Sequence, residues 1–335
     1  MIIPLNIKSE NTYYKIFEAV KIAFTKLSTN NQNTKGRPRK YSDQQIVCCM
    51  LYGVKNSIFS LRELEYKIKQ DHIFKSIIQI DDVPDYSTLS LRAKHLEKHI
   101  YYGIYAMFIE FIDPEIRLCA IDGTALRSSK YDSEAKSGKG TRLGYFKGYK
   151  LHCIAAVTDI IIPLVFDLTT ANVYDNQLSH LLYEVKTYNP FLIIADAAYD
   201  SAEWFDIAFD LELNLLTDIN MRKAKSIESF TVKRYENAVF MKSPIGLNLY
   251  KNRLKIEQLF SVLKGLYNLE NPRLYGQARY ERHIKWVLLS YLIDEFNKKQ
   301  QGIKKWLLPR SLREFNFKYS KRHRTNIGSM LYFSY

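Results

Sequence analysis

The sequence is poor in the features of zinc sites, membrane proteins and secreted proteins. Its four cysteines form no Cys-x-x-Cys pair and lie near no histidine at zinc-ligand spacing, so a structural zinc site is not expected. No apolar run reaches the ~20 residues of a membrane-spanning helix, and no signal peptide follows Met1. We therefore expect a cytoplasmic protein with no membrane partner and with reduced cysteines.

Loops that serve side-chain nucleophiles or nucleotide phosphates are also missing. There is neither a Gly-x-Ser-x-Gly turn nor a Walker loop. Acidic residues are in the minority, with 35 Asp and Glu against 49 Lys and Arg, and the formal net charge is +14. An excess of this size favours a polyanionic partner, and nucleic acid is the usual one.

Two segments concentrate the positive charge. Residues 35–40 read Lys-Gly-Arg-Pro-Arg-Lys, and residues 304–324 hold eight basic residues and one acid. Each segment is consistent either with a solubilising tail or with a DNA-binding arm. As a DNA-binding arm, the first segment would contact DNA through Arg37, Arg39 and Lys40.

The first 113 residues are predicted to be all-helical. Ser42 can cap a helix from Asp43 to about Tyr52, and Ser60 opens another helix with a capping-box pattern. A longer helix is expected from about Thr88 to Ile112, before Pro114. Such a unit can place a helix in a major groove, although a helical bundle without DNA contact fits the pattern equally well.

The pattern changes to mixed strands and helices after Arg117. The expected order is three strands, helix, strand, helix, strand and helix. The strands are predicted at about 118–121, 146–157, 161–168, 191–195 and 214–219. Residues 128–142 are predicted to be a loop, and residues 222–249 a loop with a hairpin. This order favours an α/β fold, a mixed sheet with helices on both faces. We divide the chain into domains at 1–113 and 114–300, with a basic tail at 301–335.

Two aspartates share one sequence context. Asp122 follows Leu-Cys-Ala-Ile and Asp196 follows Leu-Ile-Ile-Ala, and small residues come next in both cases. Ligands bind at the ends of strands in open α/β sheets, and carboxylate oxygens suit Mg²⁺ or Mn²⁺. We therefore predict that both side chains bind metal. The simpler alternative is that each aspartate only starts a turn or caps a helix.

A third acid lies in a segment without Gly or Pro that is predicted to be helical. At about 100° per residue, Tyr250, Arg253, Glu257 and Lys264 fall on one stripe. Glu257 is then a metal-binding carboxylate between cations that contact phosphates. Alternatively, the stripe is a solvated helix surface with an Arg253–Glu257 ion pair. Two aspartates and one glutamate in a basic protein match the needs of two-metal phosphoryl transfer, which favours the first interpretation.

These residues resemble those of a known family. The spacing Tyr-x2-Arg-x3-Glu-x6-Lys, here Tyr250, Arg253, Glu257 and Lys264, resembles the signature of bacterial insertion-sequence transposases of the DDE type. Ile-Asp-Gly-Thr at 121–124 and the segment 194–200 resemble the family's two aspartate segments. Smaller similarities lie at 36–40, 148–152 and 171–175, so that the resemblance covers about residues 36–298.

The resemblance implies an RNase H-like catalytic core behind the helical N-terminal domain. It also implies that Asp122, Asp196 and Glu257 hold two Mg²⁺ ions (Mn²⁺ being possible), while Tyr250, Arg253 and Lys264 contact DNA. The expected activity is cleavage of transposon ends and their transfer into target DNA. The implied partners are terminal inverted repeats, target DNA and a second copy of the chain in a homodimer, in the cytoplasm at the nucleoid.

The sequence differs from the family pattern at two places, and family properties that depend on them are not assigned to this chain. Some relatives have a large β-rich insertion between the second aspartate and the glutamate, and here the interval has room only for a short one. Tyr174 stands where a histidine is frequent. Two rival functions remain open: a metal-dependent nuclease of the same fold that does not join strands, and a DNA-binding protein on an inactive core.

Overall fold

The N-terminal part of the protein is helical, as predicted. The computed structural model describes residues 11–27, 39–140, 144–221, 224–271 and 273–302. The N-terminal helices are α1 (Thr12–Leu27), α2 (Asp43–Lys55), α3 (Leu61–Gln70), α4 (His72–Ile78), α5 (Tyr86–His99) and α6 (Tyr101–Ile112). Most of the proposed basic arm and of the basic C-terminal tail lies outside the described residues.

Local capping fixes several helix starts. Ser42 and Gln45 form a complete capping box at the start of α2, in which two backbone N–H groups gain side-chain acceptors. The helix continues through Gly53 to Lys55, three residues beyond the end predicted at about Tyr52. The single long helix predicted for about 88–112 is wrong, because Asp85 caps α5 and the chain breaks at Ile100 before α6.

A six-stranded sheet follows the helices. Its strands are β1 (Leu118–Arg127), β2 (Lys136–Gly140), β3 (Gly144–Ala156), β4 (Ile162–Thr170), β5 (Leu192–Ala195) and β6 (Asn214–Thr217). The antiparallel strand pairs are β1–β3, β2–β3 and β3–β4, whereas β1–β5 and β5–β6 are parallel. Four consecutive residues of β1, 118–121, are buried, which requires cover on both faces of the sheet. The fold is RNase H-like, as expected from the sequence.

The remaining helices connect and cover the strands. They are α7 (His180–Lys186), α8 (Ala202–Asp210), α9 (Val232–Met241), α10 (Pro244–Tyr250), α11 (Leu254–Leu266) and α12 (Gln277–Gln300). Short 3-10 turns lie at Asp175–Gln177, Ala197–Tyr199, Ile227–Ser229 and Lys251–Arg253. Helix α11 packs on β1, whereas α12 packs on β4 and on helices α1, α2 and α6. None of the described helices is long and apolar enough to cross a membrane.

Two segments differ from the prediction. The loop expected at 128–142 contains β2, and the hairpin expected within 222–249 is instead the helix pair α9 and α10. Ser243 accepts a hydrogen bond from the Gly246 N–H and Pro244 occupies the first turn of α10, a favourable start for a helix. The short interval before Glu257 is therefore filled by helices.

One apolar core runs through both parts of the chain. Tyr101 in α6 donates a hydrogen bond to the Lys285 carbonyl in α12, and Tyr105 donates to the Pro163 carbonyl in β4. Both phenols are buried, so each contact satisfies a polar group within apolar surroundings. The division into domains at residue 113 stays a prediction.

Candidate active site

Asp122 and Asp196 lie side by side on neighbouring parallel strands. The β1–β5 pairing aligns Cys119 with Ile193 and Ala120 with Ile194, and two further residues in the same register bring Asp122 level with Asp196. Asp196 directly follows β5, as predicted. Asp122 does not end its strand, since β1 continues to Arg127 in its pairing with β3. The strand-end position predicted for Asp122 is therefore wrong, although the strand register places it beside Asp196.

The two carboxyl groups are hard to ionise together. Burial raises the pKa of Asp122 to about 7, and the neighbouring charge of Asp196 adds to this effect. The Gly123 N–H, 2.7 Å from Asp122 Oδ1, acts in the opposite direction. Burial also raises the pKa of Asp196, whose Oδ1 accepts a hydrogen bond from the Ala198 N–H at 2.8 Å. A cation at this position would remove the cost of ionising both acids.

Arg253 supplies a positive charge between the acids. Its Nη2 lies 2.8 Å from Glu257 Oε1, and its Nη1 lies 3.5 Å from Asp122 Oδ2. The ion pair expected along the helix surface is therefore present, but the same guanidinium also reaches the buried aspartate. Glu257 is in the first turn of α11, with its side chain 40% exposed, and it stands on the solvent side of this bridge.

The segment carrying Glu257 is not one regular helix. Tyr250 ends α10, residues 251–253 form a 3-10 turn, and α11 begins at Leu254. Within the turn, the buried Asn252 donates from its side chain to the Leu249 carbonyl at 3.0 Å. Tyr250 is half-buried, and burial raises its pKa to about 12. Its phenol therefore stays protonated at neutral pH and can act as a hydrogen-bond donor.

Lys264 points to the sheet. Its ammonium donates a hydrogen bond to the Ala125 carbonyl in β1 at 2.6 Å and lies 4.0 Å from Glu270 Oε2. This contact ties the C-terminal half of α11 to the strand that carries Asp122. The structure thus gives Lys264 a structural partner, whereas its predicted contact with DNA stays a prediction.

We expect Lys264→Met to destabilise the fold. Methionine keeps much of the apolar stem but removes the charged donor to Ala125, a type of hydrogen bond worth about 1.5–3 kcal/mol. Urea unfolding monitored by circular dichroism should show a lower free energy of unfolding. Lys251→Met in the neighbouring 3-10 turn, at an exposed lysine, should leave stability nearly unchanged. Equal stability of Lys264→Met and wild type would contradict the anchoring role.

Of the basic residues in the first arm, the structure describes Arg39 and Lys40, and both pair with acids outside this centre. Arg37 lies outside the described residues. Arg39 pairs with Asp43 at 3.3 Å, and Lys40 pairs with Asp82 at 2.7 Å on an exposed surface. Exposed pairs of this kind contribute little to stability, so both side chains can exchange their acids for phosphates.

A fourth acid near the centre was missed by the sequence argument. Lys150 Nζ lies 2.9 Å from Asp175 Oδ1, and Nδ1 of the buried His152 lies 3.7 Å from the same oxygen. The Asp175 charge helps to raise the pKa of Asp196. A Cβ on Gly123 would lie 3.1 Å from His152 Nδ1, so glycine beside Asp122 makes room for the imidazole. The signal lay in segments 148–152 and 171–175, to which no role was assigned.

The donor chemistry of the centre fits a divalent cation. Within the part of the chain that the structure describes, no three His, Cys, Asp or Glu side chains converge as closely as metal ligands do. Asp122 and Asp196 nevertheless form a pair of oxygen donors whose ionisation burial disfavours, and Arg253 links Asp122 to Glu257. Hard cations such as Mg²⁺ favour donors of this type.

The chain is similar in sequence to two families and to a protein of another organism. Residues 113–293 match the family described as "Transposase DDE domain", and residues 6–94 match "Transposase domain (DUF772)". An uncharacterized protein of Aquifex aeolicus (strain VF5) is 25% identical over 285 residues, which cover 78% of this chain and 82% of that protein. Among solved structures, a piggyBac transposase synaptic complex with hairpin DNA aligns with a TM-score of 0.42 and 10% identity, over 96% of this chain and 85% of that one.

Proposed function

This chain belongs to the transposase DDE domain family, and we propose that it cuts the ends of a transposon and joins them to target DNA by two-metal phosphoryl transfer. The observation that carries the proposal is the placement of Asp122 beside Asp196, with Arg253 linking Asp122 to Glu257. Two acids that are distant in the sequence thus share one guanidinium, and a third lies at the end of the neighbouring strand. The net charge of +14 suits a DNA substrate.

Asp122, Asp196 and Glu257 would hold the two Mg²⁺ ions, with Mn²⁺ as a possible substitute. Ions bound there would polarise the scissile phosphate and make a water or a 3′-hydroxyl a stronger nucleophile. The raised pKa of Asp122 makes ion binding compete with protons, because only the ionised carboxylate binds a metal. Activity at low metal concentration should therefore rise with pH through neutrality.

The neighbouring cation and phenol would position the DNA backbone. The guanidinium of Arg253 uses two of its nitrogens on the acids and carries five N–H donors in all. It can therefore hold a phosphate and a carboxylate at once. Tyr250 lies next to it, with the Arg253 guanidinium 6.0 Å from its ring centre, and would donate to a neighbouring phosphate. Lys264 would add a phosphate contact only by leaving the Ala125 carbonyl.

The remaining parts of the chain would supply DNA affinity. Residues 1–113, including Arg37, Arg39 and Lys40, would bind terminal inverted repeats, and the basic tail at 301–335 would add phosphate contacts. Affinity should then fall steeply with salt, because each phosphate contact releases counterions. We also propose a homodimer in the DNA complex and a location at the nucleoid in the cytoplasm.

A cleavage assay tests the proposed function. The substrate is a supercoiled plasmid that carries the gene with the genomic DNA on each side, incubated with the full chain and Mg²⁺. Wild type should cut at the element ends, and labelled donor ends should appear joined to a second DNA. Glu257→Gln should cut at least about 10³-fold more slowly, since metal contacts supply several kcal/mol to the transition state.

Glu236→Gln is the matched control for this assay. Glu236 also lies on a helix and pairs with a lysine, Lys233, at 3.1 Å, and its loss should leave cleavage unchanged. If Glu257→Gln cuts as fast as wild type, the metal role is wrong. Cleavage without any joined product would instead assign the metal-dependent nuclease activity.

A further inference from the structure

The β2–β3 hairpin has one basic and aromatic face. The register pairs Ser137 with Lys147 and Lys139 with Tyr145, and directly opposed side chains project from the same face of a sheet. These four residues, Ser137, Lys139, Tyr145 and Lys147, are called the outer face. The Tyr145 side chain is 83% exposed, unusual for so large an aromatic group.

The outer face and Asp122 lie on the same face of the sheet. Asp122 is directly opposite Cys153 in the β1–β3 pairing. Side chains along β3 alternate between faces, so Cys153, Lys147 and Tyr145 project to the same one. Cys153 lies eight positions after Tyr145, which corresponds to about 26 Å along the strand. That distance equals about eight base pairs of duplex DNA.

The positive charge of the outer face is not neutralised within the protein. Among the described residues no acid pairs with Lys139 or Lys147, and the Lys147 ammonium donates a hydrogen bond to the Lys130 carbonyl at 2.9 Å. The two acids of the neighbouring loop are already engaged, since Asp132 accepts from Ser128 and Tyr149, and Glu134 accepts from the Gln277 N–H. The surface is therefore available to an anion.

Close packing fixes the hairpin in place. On the side opposite the outer face, Phe146 is buried. A Cβ added to Gly138 would lie 2.1 Å from the Ala171 carbonyl oxygen, and one on Gly148 would lie 2.1 Å from the Leu126 carbonyl oxygen. Both positions require glycine for the backbones to approach. The outer face is thus presented at a set distance from Asp122 and not on a free loop.

Prevention of pairing with another chain at the sheet edge explains only some of the residues on the outer face. Exposed lysines on an edge strand such as β2 discourage pairing with another chain, which accounts for Lys139. It does not account for Tyr145, because an exposed aromatic side chain would promote such association. Tyrosine and lysine side chains together are suited to phosphate oxygens of DNA.

We propose that the outer face binds the phosphate backbone of duplex DNA about eight base pairs from the cleavage site. The partner's identity rests on the proposed function. Lys139 and Lys147 contact phosphates, and the Tyr145 hydroxyl donates to a third while its ring packs on a deoxyribose. These contacts carry no sequence information, so the outer face sets the path of the duplex past Asp122.

Salt-dependent binding tests the contact itself. The probe is a fluorescently labelled duplex of arbitrary sequence, longer than the span from Asp122 to Tyr145, titrated with full-length protein in EDTA. The double variant Lys139→Gln/Tyr145→Ala should bind about tenfold more weakly, as expected for loss of a charged hydrogen bond. The slope of log K against log salt should fall by about one.

A second tyrosine–lysine pair provides the control. Tyr183 and Lys186 lie three residues apart on α7, beside Glu184, and Tyr183 is 56% exposed. Tyr183→Ala/Lys186→Gln should keep the wild-type affinity and slope. If the hairpin variant binds with wild-type affinity and slope, or if both pairs lose affinity equally, the proposal is overturned.

Directed strand scission tests the distance. All four native cysteines are buried, so Tyr145→Cys provides one accessible thiol for a tethered hydroxyl-radical source. On the plasmid substrate the radical cuts should cluster about eight base pairs from the position of enzymatic cleavage. Cuts spread over the whole plasmid, or none near the element ends, would overturn the proposed path.

The two proposals fail in different ways. The binding measurement needs neither metal nor catalysis, and it therefore judges the outer face even if wild type never cuts the plasmid. Absence of cutting by wild type would refute only the transposase chemistry. If wild type cuts the plasmid and the hairpin variant binds and cuts as wild type does, only the outer-face contact is refuted.

Discussion

Replacing Asp122 by asparagine is expected to abolish DNA cleavage and, in the absence of divalent metal, to stabilise the protein above neutral pH. The pKa of an aspartate is about 3.9 in an unfolded chain but about 7 at Asp122 in the folded protein. The folded state therefore holds this proton more tightly. Stability from this group is fully present below pH ~4 and is lost as the pH rises through ~7.

Asparagine avoids this loss because it carries no charge to desolvate. It can keep the acceptor that the Gly123 N–H uses in the wild type. The difference between these two pKa values sets an upper limit of ~4 kcal/mol on the gain, and relaxation around a site near solvent reduces the expected gain to about 2 kcal/mol at pH 8. At pH 4 wild type and Asp122→Asn should be equally stable.

Urea unfolding in EDTA at pH 8 and at pH 4 measures this effect, and the plasmid assay measures cleavage. Mg²⁺ should stabilise the wild type and not the variant, because ligands stabilise only the state that binds them. Asp167→Asn is the control, since Asp167 is 39% exposed and pairs with His180; it should leave cleavage unchanged. If Asp122→Asn is less stable than wild type at pH 8, burial of the ionised Asp122 carboxylate does not destabilise the folded protein, and the prediction is wrong.

Arg234→Met is expected to produce the largest loss of stability, about 3–5 kcal/mol. Arg234 contacts both oxygens of Asp200, at 2.7 Å and 2.8 Å, and its guanidinium carbon lies 3.6 Å from the centre of the Phe230 ring. Asp200 is only 1% exposed. Without arginine the carboxylate is a buried charge with no cation, and breaking a buried pair in this way costs several kcal/mol.

The same substitution should also weaken metal binding. Asp200 closes the 3-10 turn that begins at Asp196 and accepts a hydrogen bond from the Asn220 N–H at 2.7 Å. Loosening this turn lets the Asp196 carboxylate move. The Mg²⁺ concentration for half-maximal cleavage should therefore rise about 10–100-fold, as for other groups that orient metal ligands.

Two further variants distinguish the buried pair from its surroundings. Lys233→Met removes the neighbouring cation, which is 41% exposed and pairs with Glu236, and should cost less than about 1 kcal/mol. Arg234→Met/Asp200→Asn removes both charges and should recover part of the stability. If Arg234→Met lowers the free energy of unfolding no more than Lys233→Met does, the Arg234–Asp200 pair does not contribute the stability predicted for it.

The two aspartates proposed to bind metal stand out in the sequence because their context is local. Asp196 follows a buried run of four residues, and the same pattern marks Asp122. The sequence does not reveal that β1 extends past Asp122, since that extension depends on pairing with β3. Nor does it reveal that Arg253 reaches Asp122 as well as Glu257. Both facts depend on contacts between distant parts of the chain.

Other errors have identifiable causes. β2 contains two glycines and no apolar side chain, and it forms a strand because Gly138 lets it approach Ala171 closely, a tertiary effect that outweighs propensity. For α9 and α10 the signals were present: Thr231 and Ser243 stand at the helix starts, and Pro244 follows. The density of charge in residues 222–249 obscured them.

The continuous core has a consequence for how such proteins can be recombined. Helix α12 packs on helices α1, α2 and α6 as well as on β4, and the buried Tyr101 and Tyr105 hydroxyls find their acceptors beyond residue 113. An N-terminal part taken from another protein would have to match this surface atom by atom. For the DNA-binding role proposed for these helices, new specificity is therefore more accessible through changes on their solvent side than through exchange of the whole N-terminal part.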